Sequence, residues 1–180
     1  MEAFFPYNRV VVIGTSASGK STLAKAIAGK TGLEYVELDS LFHGPNWKQT
    51  PRDEFVARVR NRMTTERWVI DGNYGNWAGH FQRAELIIWL DYPFRIILSR
   101  VLRRTLTRLL TREELWNGNR EAWAMAFSRE SIVLWVFKTY WRRKREFPVV
   151  LGSNSLEHVH KLRFRHPKEA TQFLERIPQS

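Results

Sequence analysis

The chain has 180 residues, 43% hydrophobic and 26% charged, with a formal net charge of +11 and no cysteine. That length suits one domain with its own core, that balance excludes a disordered chain, and the missing cysteine excludes a disulfide framework or a zinc finger. Between Tyr92 and Arg145, thirteen Lys and Arg stand against four Glu. One segment therefore carries most of a field that attracts nucleic acid, membrane phospholipid or a polyphosphate alike.

The N-terminal stretch carries an acid at Glu2 and runs straight into the apolar run Val10–Ile13, without the basic-then-apolar layout of a secretion signal. The longest unbroken aliphatic and aromatic run, Ile132–Phe137, is far too short to span a bilayer. No membrane association is expected, and the expected compartment is the cytoplasm.

Val10–Ile13 predicts the first strand. It is followed by Gly14-Thr15-Ser16-Ala17-Ser18-Gly19-Lys20-Ser21, which fits G-x-x-x-x-G-K-[ST] in the required place, after a strand and before a helix over Ser21–Lys30. The glycines allow close backbone approach and positive φ. The loop N–H groups and the positive end of the helix face an anion. Lys20 puts a point charge on the β- and γ-phosphates, and Ser21 offers a hydroxyl to Mg²⁺. Residues Gly14 to Ser21, with Thr22 behind them, are thus the expected cradle for Mg·ATP.

Tyr35–Leu38 predicts a second strand ending at Asp39. A helix over Arg52–Thr65 follows Pro51, a good helix-start residue. Trp68–Ile70 predicts a third strand closed by Asp71-Gly72, and Leu86–Leu90 a fourth closed by Asp91. Helices are expected over Phe94–Leu110, Arg120–Arg145 and Pro167–Ile177, with a weaker fifth strand over Val159–Phe164. The stretch Thr111–Asn119, with Asn117, Gly118 and Asn119, is expected to be a mobile loop. Near-continuous apolar strands alternating with helices imply βαβ units and a parallel sheet covered on both faces.

A metal bound beside the phosphates needs a carboxylate at the end of a neighbouring strand. Asp71 is the expected one and Asp91 its rival, while an Asp-Gly pair also suits a simple turn. Asp39 has two roles open to it. A carboxylate accepts hydrogen bonds from a hydroxyl and can act as its general base, yet it can equally cap a helix or complete the magnesium shell. Asp39, Phe42, Trp47, Asn73 and Tyr74 are expected to line the acceptor pocket, with His43 beside them. The aromatics offer a flat wall that stacks a ring, though Phe42 and Trp47 can also simply pack the following helix.

With the cradle, the Asp71-Gly72 strand end and Leu90-Asp91-Tyr92-Pro93 followed by Arg100 and Arg104, the sequence resembles the adenylate-kinase-like branch of P-loop kinases. It is most similar to bacterial topology modulation proteins, through Leu38-Asp39, Trp68–Tyr74 and Gly118–Glu121. The resemblance implies an α/β fold: a P-loop NTPase three-layer sandwich on a five-stranded parallel sheet of order 2-3-1-4-5, with a helical lid. It also implies that Arg100 packs near the adenine, that Arg104 contacts the transferring phosphate, and that Arg108, Arg112 or Arg120 serves from a lid. Arg104 and Arg112 join Lys20 and Asp39 as the expected catalytic residues. Guanidinium forks on a closing lid would stabilise charge spread over the equatorial oxygens. A lid near Thr111–Asn119 is expected to be open or disordered without nucleotide.

The sequence departs from adenylate kinase after Asp71-Gly72, where that enzyme has Phe-Pro-Arg and this chain has Asn73-Tyr74-Gly75. Asp39 would repel an incoming phosphate, and similar Asp placements occur in small-metabolite kinases such as shikimate kinase. The expected reaction is transfer of the γ-phosphate of Mg·ATP to a small hydroxyl-bearing acceptor. Two alternatives stay open: a nucleoside monophosphate kinase, and an ATP-gated nucleic-acid binder that uses the cluster Arg142–Arg145. The expected domain is one P-loop kinase-like unit over residues 1–180, with an acceptor region near 39–66 and an arginine-rich lid near 100–120.

Overall fold

The computed structural model describes residues 5–75, 78–111, 116–119 and 132–178. The first strand, β1 (Arg9–Gly14), is buried from Val10 onward, as a strand covered on both faces must be. Its side chains divide by the two-residue period of a strand. Val10 and Val12 enter one core, Val11 and Ile13 the other.

Helix α1 (Lys20–Thr31) follows the loop and stops where Gly32, at φ 66°, returns its N–H to the Ala28 carbonyl at 2.9 Å. Then come β2 (Glu34–Glu37), a short α2 (Leu38–Phe42), a single 3₁₀ turn (Pro45–Trp47) and α3 (Arg52–Arg62). The chain continues through β3 (Trp68–Asp71), α4 (His80–Arg83), β4 (Leu86–Leu90) and α5 (Phe94–Thr111). A second 3₁₀ turn (Trp116–Gly118) precedes α6 (Ile132–Leu151), and β5 (His160–Phe164) and α7 (Pro167–Glu175) complete the described elements.

The sheet is wholly parallel, five-stranded, in the order β2-β3-β1-β4-β5, as the resemblance implies. The register places Val12 beside Asp71 and Gly14 beside Leu90, and Glu37 beside Asp71. The loop after β1 and the three aspartates Asp39, Asp71 and Asp91 therefore gather at the carboxyl edge, where open α/β sheets hold their ligands.

One face of the sheet packs α1, α5 and α7 through Leu23, Ile27, Ile97, Val101, Phe173 and Leu174, with Ile177 just beyond α7. The other packs α3 and α4 through Phe55, Val59 and Phe81. Helix α6 belongs to both. Val136 and Tyr140 join the first core, while Phe147 and Leu151 join the second. Its middle turn thus passes the carboxyl edge of the sheet.

Three expected boundaries shift. Helix α6 continues past Arg145 to Leu151 with Pro148 inside it, because the last turns bury Phe147 and Leu151 and this burial outweighs the hydrogen bond that proline cannot make. The start expected at Arg120 lies outside the described residues. Helix α3 stops at Arg62 rather than Thr65, with Met63 turned into the core, and α7 stops at Glu175. The short helices α2 and α4 have too few turns to show an apolar period in the sequence.

Candidate active site

The phosphate loop is shaped by its backbone. Gly14 lies at φ 154°, where a Cβ would sit 2.7 Å from Ser18 Oγ and 2.8 Å from the Leu90 carbonyl oxygen, so no side chain fits. Gly19 lies at φ 95° at the mouth of α1, and Ala17 takes φ 64° without being glycine. That strained value at Ala17 is held by the tight Ser18 N–H to Thr15 carbonyl turn at 3.0 Å.

Lys20 is 8% exposed and its ammonium donates to the Thr15 carbonyl at 3.4 Å. Burial lowers its pKa, the Asp39 and Asp71 carboxylates oppose that shift, and the Arg143 and Arg104 guanidinium groups add to it. Lys20 thus sits in the electrostatic field of two cations and two carboxylates.

Asp71, buried at the end of β3, accepts from the Tyr35 hydroxyl at 3.2 Å and is hydrogen-bonded by the Ser21 side chain. Burial raises its carboxyl pKa to about 6 against the pull of Ser21 and Lys20, with Glu37 and Asp39 raising it further. Asp91, the rival, is committed elsewhere. It accepts from Arg163 Nη2 at 2.6 Å and Nε at 3.0 Å, and Lys144 lies 3.5 Å away. Among the described residues no group of three or more His, Asp or Glu forms a metal site by itself.

On the acceptor side, the Tyr74 hydroxyl donates to Asp39 Oδ1 at 2.6 Å and lies 3.4 Å from His43 Nε2. Burial, then the negative field of Asp39, pushes the Tyr74 phenol above its ordinary pKa, so it stays a donor at neutral pH. Burial lowers the His43 pKa, opposed by Asp39. Phe42 is part of the aromatic wall, 5.5 Å from the Phe55 ring and 4.6 Å from the Tyr74 ring, and the Trp47 ring meets His43 at 5.5 Å.

Asn73 departs from its expected place in the acceptor pocket. Its Oδ1 accepts from the Gly14 N–H at 3.2 Å and its Nδ2 donates to the Gly14 carbonyl at 2.5 Å, so the amide pins β1 to the residue after Gly72. An amide carries an acceptor and a donor on separate atoms of one plane, and so satisfies both groups of a single backbone residue.

Arg100 donates to the Ser18 carbonyl at 2.8 Å and lies over the Tyr92 ring at 5.3 Å. Arg104, one turn on, lies within electrostatic reach of Lys20 and adds to the lowering of its pKa by burial. Thr22 is exposed on α1, while Thr15 and Ser18 are buried in the loop and Ser16 is half-buried. Arg112 and Arg120 lie outside the described residues.

No family model matches the chain. A probable gluconokinase of Schizosaccharomyces pombe is 57% identical over 37 residues, 20% of this chain and 19% of that protein. A shikimate kinase of Synechococcus elongatus is 26% identical over 107 residues, covering 50% of this chain and 55% of the relative. The chain thus spans about half the length of one relative and a fifth of the other. Among solved structures, a shikimate kinase from Bacteroides thetaiotaomicron superposes at a TM-score of 0.57 with 13% identity, covering 94% of this chain and 96% of that one. A gluconokinase from Sinorhizobium meliloti gives 0.52 with 16% identity, over 97% and 90% of the two chains. A sugar kinase from Janibacter gives 0.50 with 19% identity, over 95% and 92%.

The fold is that of a P-loop kinase.

Within this P-loop kinase fold, several side chains beside the loop were not singled out by motif. Arg143 is 8% exposed, faces Asp39, Lys20 and Tyr74 electrostatically, and has a buried Nη1 with no hydrogen-bond partner among the described residues. Burial lowers its pKa to about 10, Arg142 adds to the shift, and Asp39 opposes it. In the sequence it looked like one of four surface cations. The signal was its spacing: Val136, Tyr140, Arg143 and Phe147 form one helical stripe, and a cation on an apolar stripe is out of place. Tyr35 had no comparable signal.

The Trp116–Asn119 segment also differs from expectation. Its residues are not loose but hydrogen-bonded to the Ser40–Trp47 stretch. The cause is local chemistry: two asparagine amides meet backbone carbonyls and an N–H of a turn. Among the described residues no helix is long and apolar enough to cross a membrane.

Proposed function

We propose that the chain is a phosphotransferase that moves the γ-phosphate of Mg·ATP to a hydroxyl group on a small acceptor. The observation that carries this is the buried Lys20 ammonium at the mouth of a positive-φ loop, flanked by Ser21–Asp71 on one side and Asp39–Tyr74 on the other. The names of the gluconokinase, sugar kinase and shikimate kinase neighbours support the same reaction class.

The residues fit the nucleotide and its metal. Gly14 leaves no room for a Cβ at the turn, and among the described residues Lys20 makes one long contact to a carbonyl, which leaves its ammonium donors to spare. Against the burial that raises the Asp71 carboxyl pKa, the Ser21 hydroxyl pulls it down, as a polar group beside it does, and the two offer a pair of hard oxygen ligands next to the loop. Mg²⁺, when bound there, supplies neutralising charge on the phosphate oxygens.

The chain's own groups do the rest. Lys20, Arg104 and Arg143 place positive charge around the transferring phosphoryl group, which carries its charge on three equatorial oxygens. Arg100 braces the loop through the Ser18 carbonyl. Asp39 accepts the proton as the acceptor oxygen bonds to phosphorus and the bond to the β-phosphate oxygen breaks, leaving ADP. The Tyr74 hydroxyl holds Asp39 in place for that role. Residues 1–180 act as one P-loop kinase-like domain, with the acceptor region near 39–66 and the arginine-rich lid near 100–120. Within that class the chain is of the topology modulation type, on the segments Leu38-Asp39, Trp68–Tyr74 and Gly118–Glu121.

The test is a screen with Mg·ATP against hydroxylated metabolites, nucleosides and nucleoside monophosphates, read as phosphorylated product. A hydroxyl acceptor turned over by the native chain and not by Lys20→Ala supports the proposal. Preference for nucleoside monophosphates would replace it with a nucleotide kinase, and no product with any acceptor would overturn it.

A further inference from the structure

The carboxyl end of β4 leads into Asp91 and Tyr92, and helix α6 is fastened to both. Asp91 is 7% exposed and divides its two oxygens between partners. Its Oδ2 accepts from Arg163 of β5, whose guanidinium lies 4.3 Å over the Trp89 ring. Its Oδ1 stands 3.5 Å from the Lys144 ammonium of α6. Lys144 also donates to the Tyr140 hydroxyl at 3.4 Å, and that hydroxyl donates to the Tyr92 carbonyl at 3.1 Å. Tyr140 and Lys144 are four residues apart, so they share one face of the helix. The buried Tyr140 ring meets Phe94, the first residue of α5, at 5.1 Å.

These contacts hold α6 where its own charge opposes it. Arg142, Arg143, Lys144 and Arg145 are successive cations. Arg143 is buried, and its Nη1 has no hydrogen-bond partner among the described residues. It lies within electrostatic reach of the Lys20 ammonium, a like charge, and of the Asp39 carboxylate. Bringing a desolvated guanidinium towards a buried ammonium is unfavourable unless other contacts offset it. Asp39 offsets part of it. The Asp91–Lys144 pair and the Tyr140–Tyr92 bond add to that, at positions one and three residues from Arg143 on the same helix. The same strand end also braces the phosphate loop, because the Tyr92 ring lies beneath Arg100, which donates to the Ser18 carbonyl.

We propose that Asp91, Tyr140 and Lys144 are positioning residues that seat α6 across the carboxyl edge of the sheet and so set Arg143 beside Asp39 for phosphoryl transfer. The proposal rests on the phosphotransferase reading. Asp91, a strand-end carboxylate like Asp71, thereby serves the site through an arginine rather than through a metal.

The experiment is a double-mutant cycle of Lys144→Met with Arg143→Ala, and Tyr140→Phe is run in the same way. Both Lys144→Met and Tyr140→Phe keep the apolar part of the side chain and leave the Asp91–Arg163 pair in place. Turnover is measured with the acceptor found by the screen, and affinity for Mg·AMP-PNP by calorimetry. Lys144→Met should lower kcat about tenfold in the native background and less than about twofold in the Arg143→Ala background, because it acts through the arginine already removed. Its affinity for Mg·AMP-PNP should stay within about twofold of native, since the phosphate loop is untouched. Lys144→Arg, which keeps a cation facing Asp91, should recover most of the lost rate. A general structural role would multiply the same loss onto Arg143→Ala, and that result overturns the proposal. So does an unchanged kcat in both Lys144→Met and Tyr140→Phe, or no recovery in Lys144→Arg. If the native chain binds no Mg·AMP-PNP or phosphorylates no acceptor, the phosphotransferase reading falls and takes the positioning with it, a result distinct from additive losses in an active enzyme.

Discussion

The Tyr74 hydroxyl donates to Asp39 Oδ1 at 2.6 Å, from a ring packed between Phe42 and Phe55. The aromatic wall fixes the direction of the phenol, and the phenol fixes the carboxylate. A hydrogen bond to a charged partner contributes about 1.5–3 kcal/mol. Tyr74→Phe keeps the wall and removes only the donor. We expect kcat to fall about tenfold or more, with the midpoint of thermal unfolding within a few degrees of native. Steady-state kinetics with the acceptor found by the screen, beside a melting curve, checks both. An unchanged kcat would remove Asp39 positioning from the account.

Asp71 sets function against stability. Its folded pKa is raised from 3.8 to about 6, chiefly by burial. A raised folded value means that the folded state holds its proton more tightly than the unfolded chain. Stability therefore declines as pH rises from about 4 to about 6 and stays lower above that, by roughly 3 kcal/mol. Asp71→Asn removes the buried charge and keeps an oxygen for the Tyr35 hydroxyl. The ligand-free variant should be more stable than native at pH 7 by denaturant unfolding, while its Mg²⁺-dependent affinity for ATP drops at least tenfold by calorimetry. In the native chain, activity should rise with pH through about 6 as the carboxylate ionises. A variant that loses stability at pH 7 would show that burial does not dominate this site.

The strand order and the loop were legible because both are written locally. Val10–Ile13 and Leu86–Leu90 are apolar without interruption, and Gly14 to Ser21 is one unbroken motif. The place of Asp71 at the end of β3 was legible because a strand end beside a glycine is also local. What stayed hidden depends on contacts between distant segments. Asn73 serves the Gly14 backbone, 59 positions away in the chain, and nothing next to it in sequence says so. Asn117 and Asn119 looked like loop residues because a run of Asn and Gly has that composition whether or not a partner turn lies opposite. Asp91 stands at a strand end just as Asp71 does, and only the facing Arg163 and Lys144 distinguish it.

The four cations Arg142, Arg143, Lys144 and Arg145 separate by environment. Arg142 is exposed and 3.7 Å from Glu146, Lys144 lies 3.5 Å from the buried Asp91, and Arg143 is buried beside Asp39 and Lys20. Exposed pairs of the Arg142 kind contribute little. Arg143→Ala should lower kcat at least a hundredfold if its guanidinium stabilises the transition state, while Arg142→Ala stays within twofold of native. Arg143→Lys should recover little, because an ammonium lacks the planar fork. Matching losses in Arg142→Ala and Arg143→Ala, together with loss of nucleic-acid retention at low salt, would favour the nucleic-acid binder instead.

His80 supplies the opposite pH dependence to Asp71. It is buried at the start of α4 against Phe81, neither ring nitrogen has a hydrogen-bond partner among the described residues, and burial lowers its pKa to about 4. A lowered folded value means that the unfolded chain binds the extra proton between about 4 and 6.5. The contribution is complete above pH 6.5 and is lost as pH falls toward 4, by roughly 3 kcal/mol. The windows of Asp71 and His80 overlap between pH 4 and 6 with opposite slopes, so the two contributions offset each other in the native chain. Each single variant exposes the other. Asp71→Asn should lose stability steeply on acidification from pH 6.5, and His80→Leu should gain it from pH 6 to pH 4. Denaturant unfolding of the two variants at half-unit steps measures both slopes, and parallel profiles for the two variants would overturn the assignment.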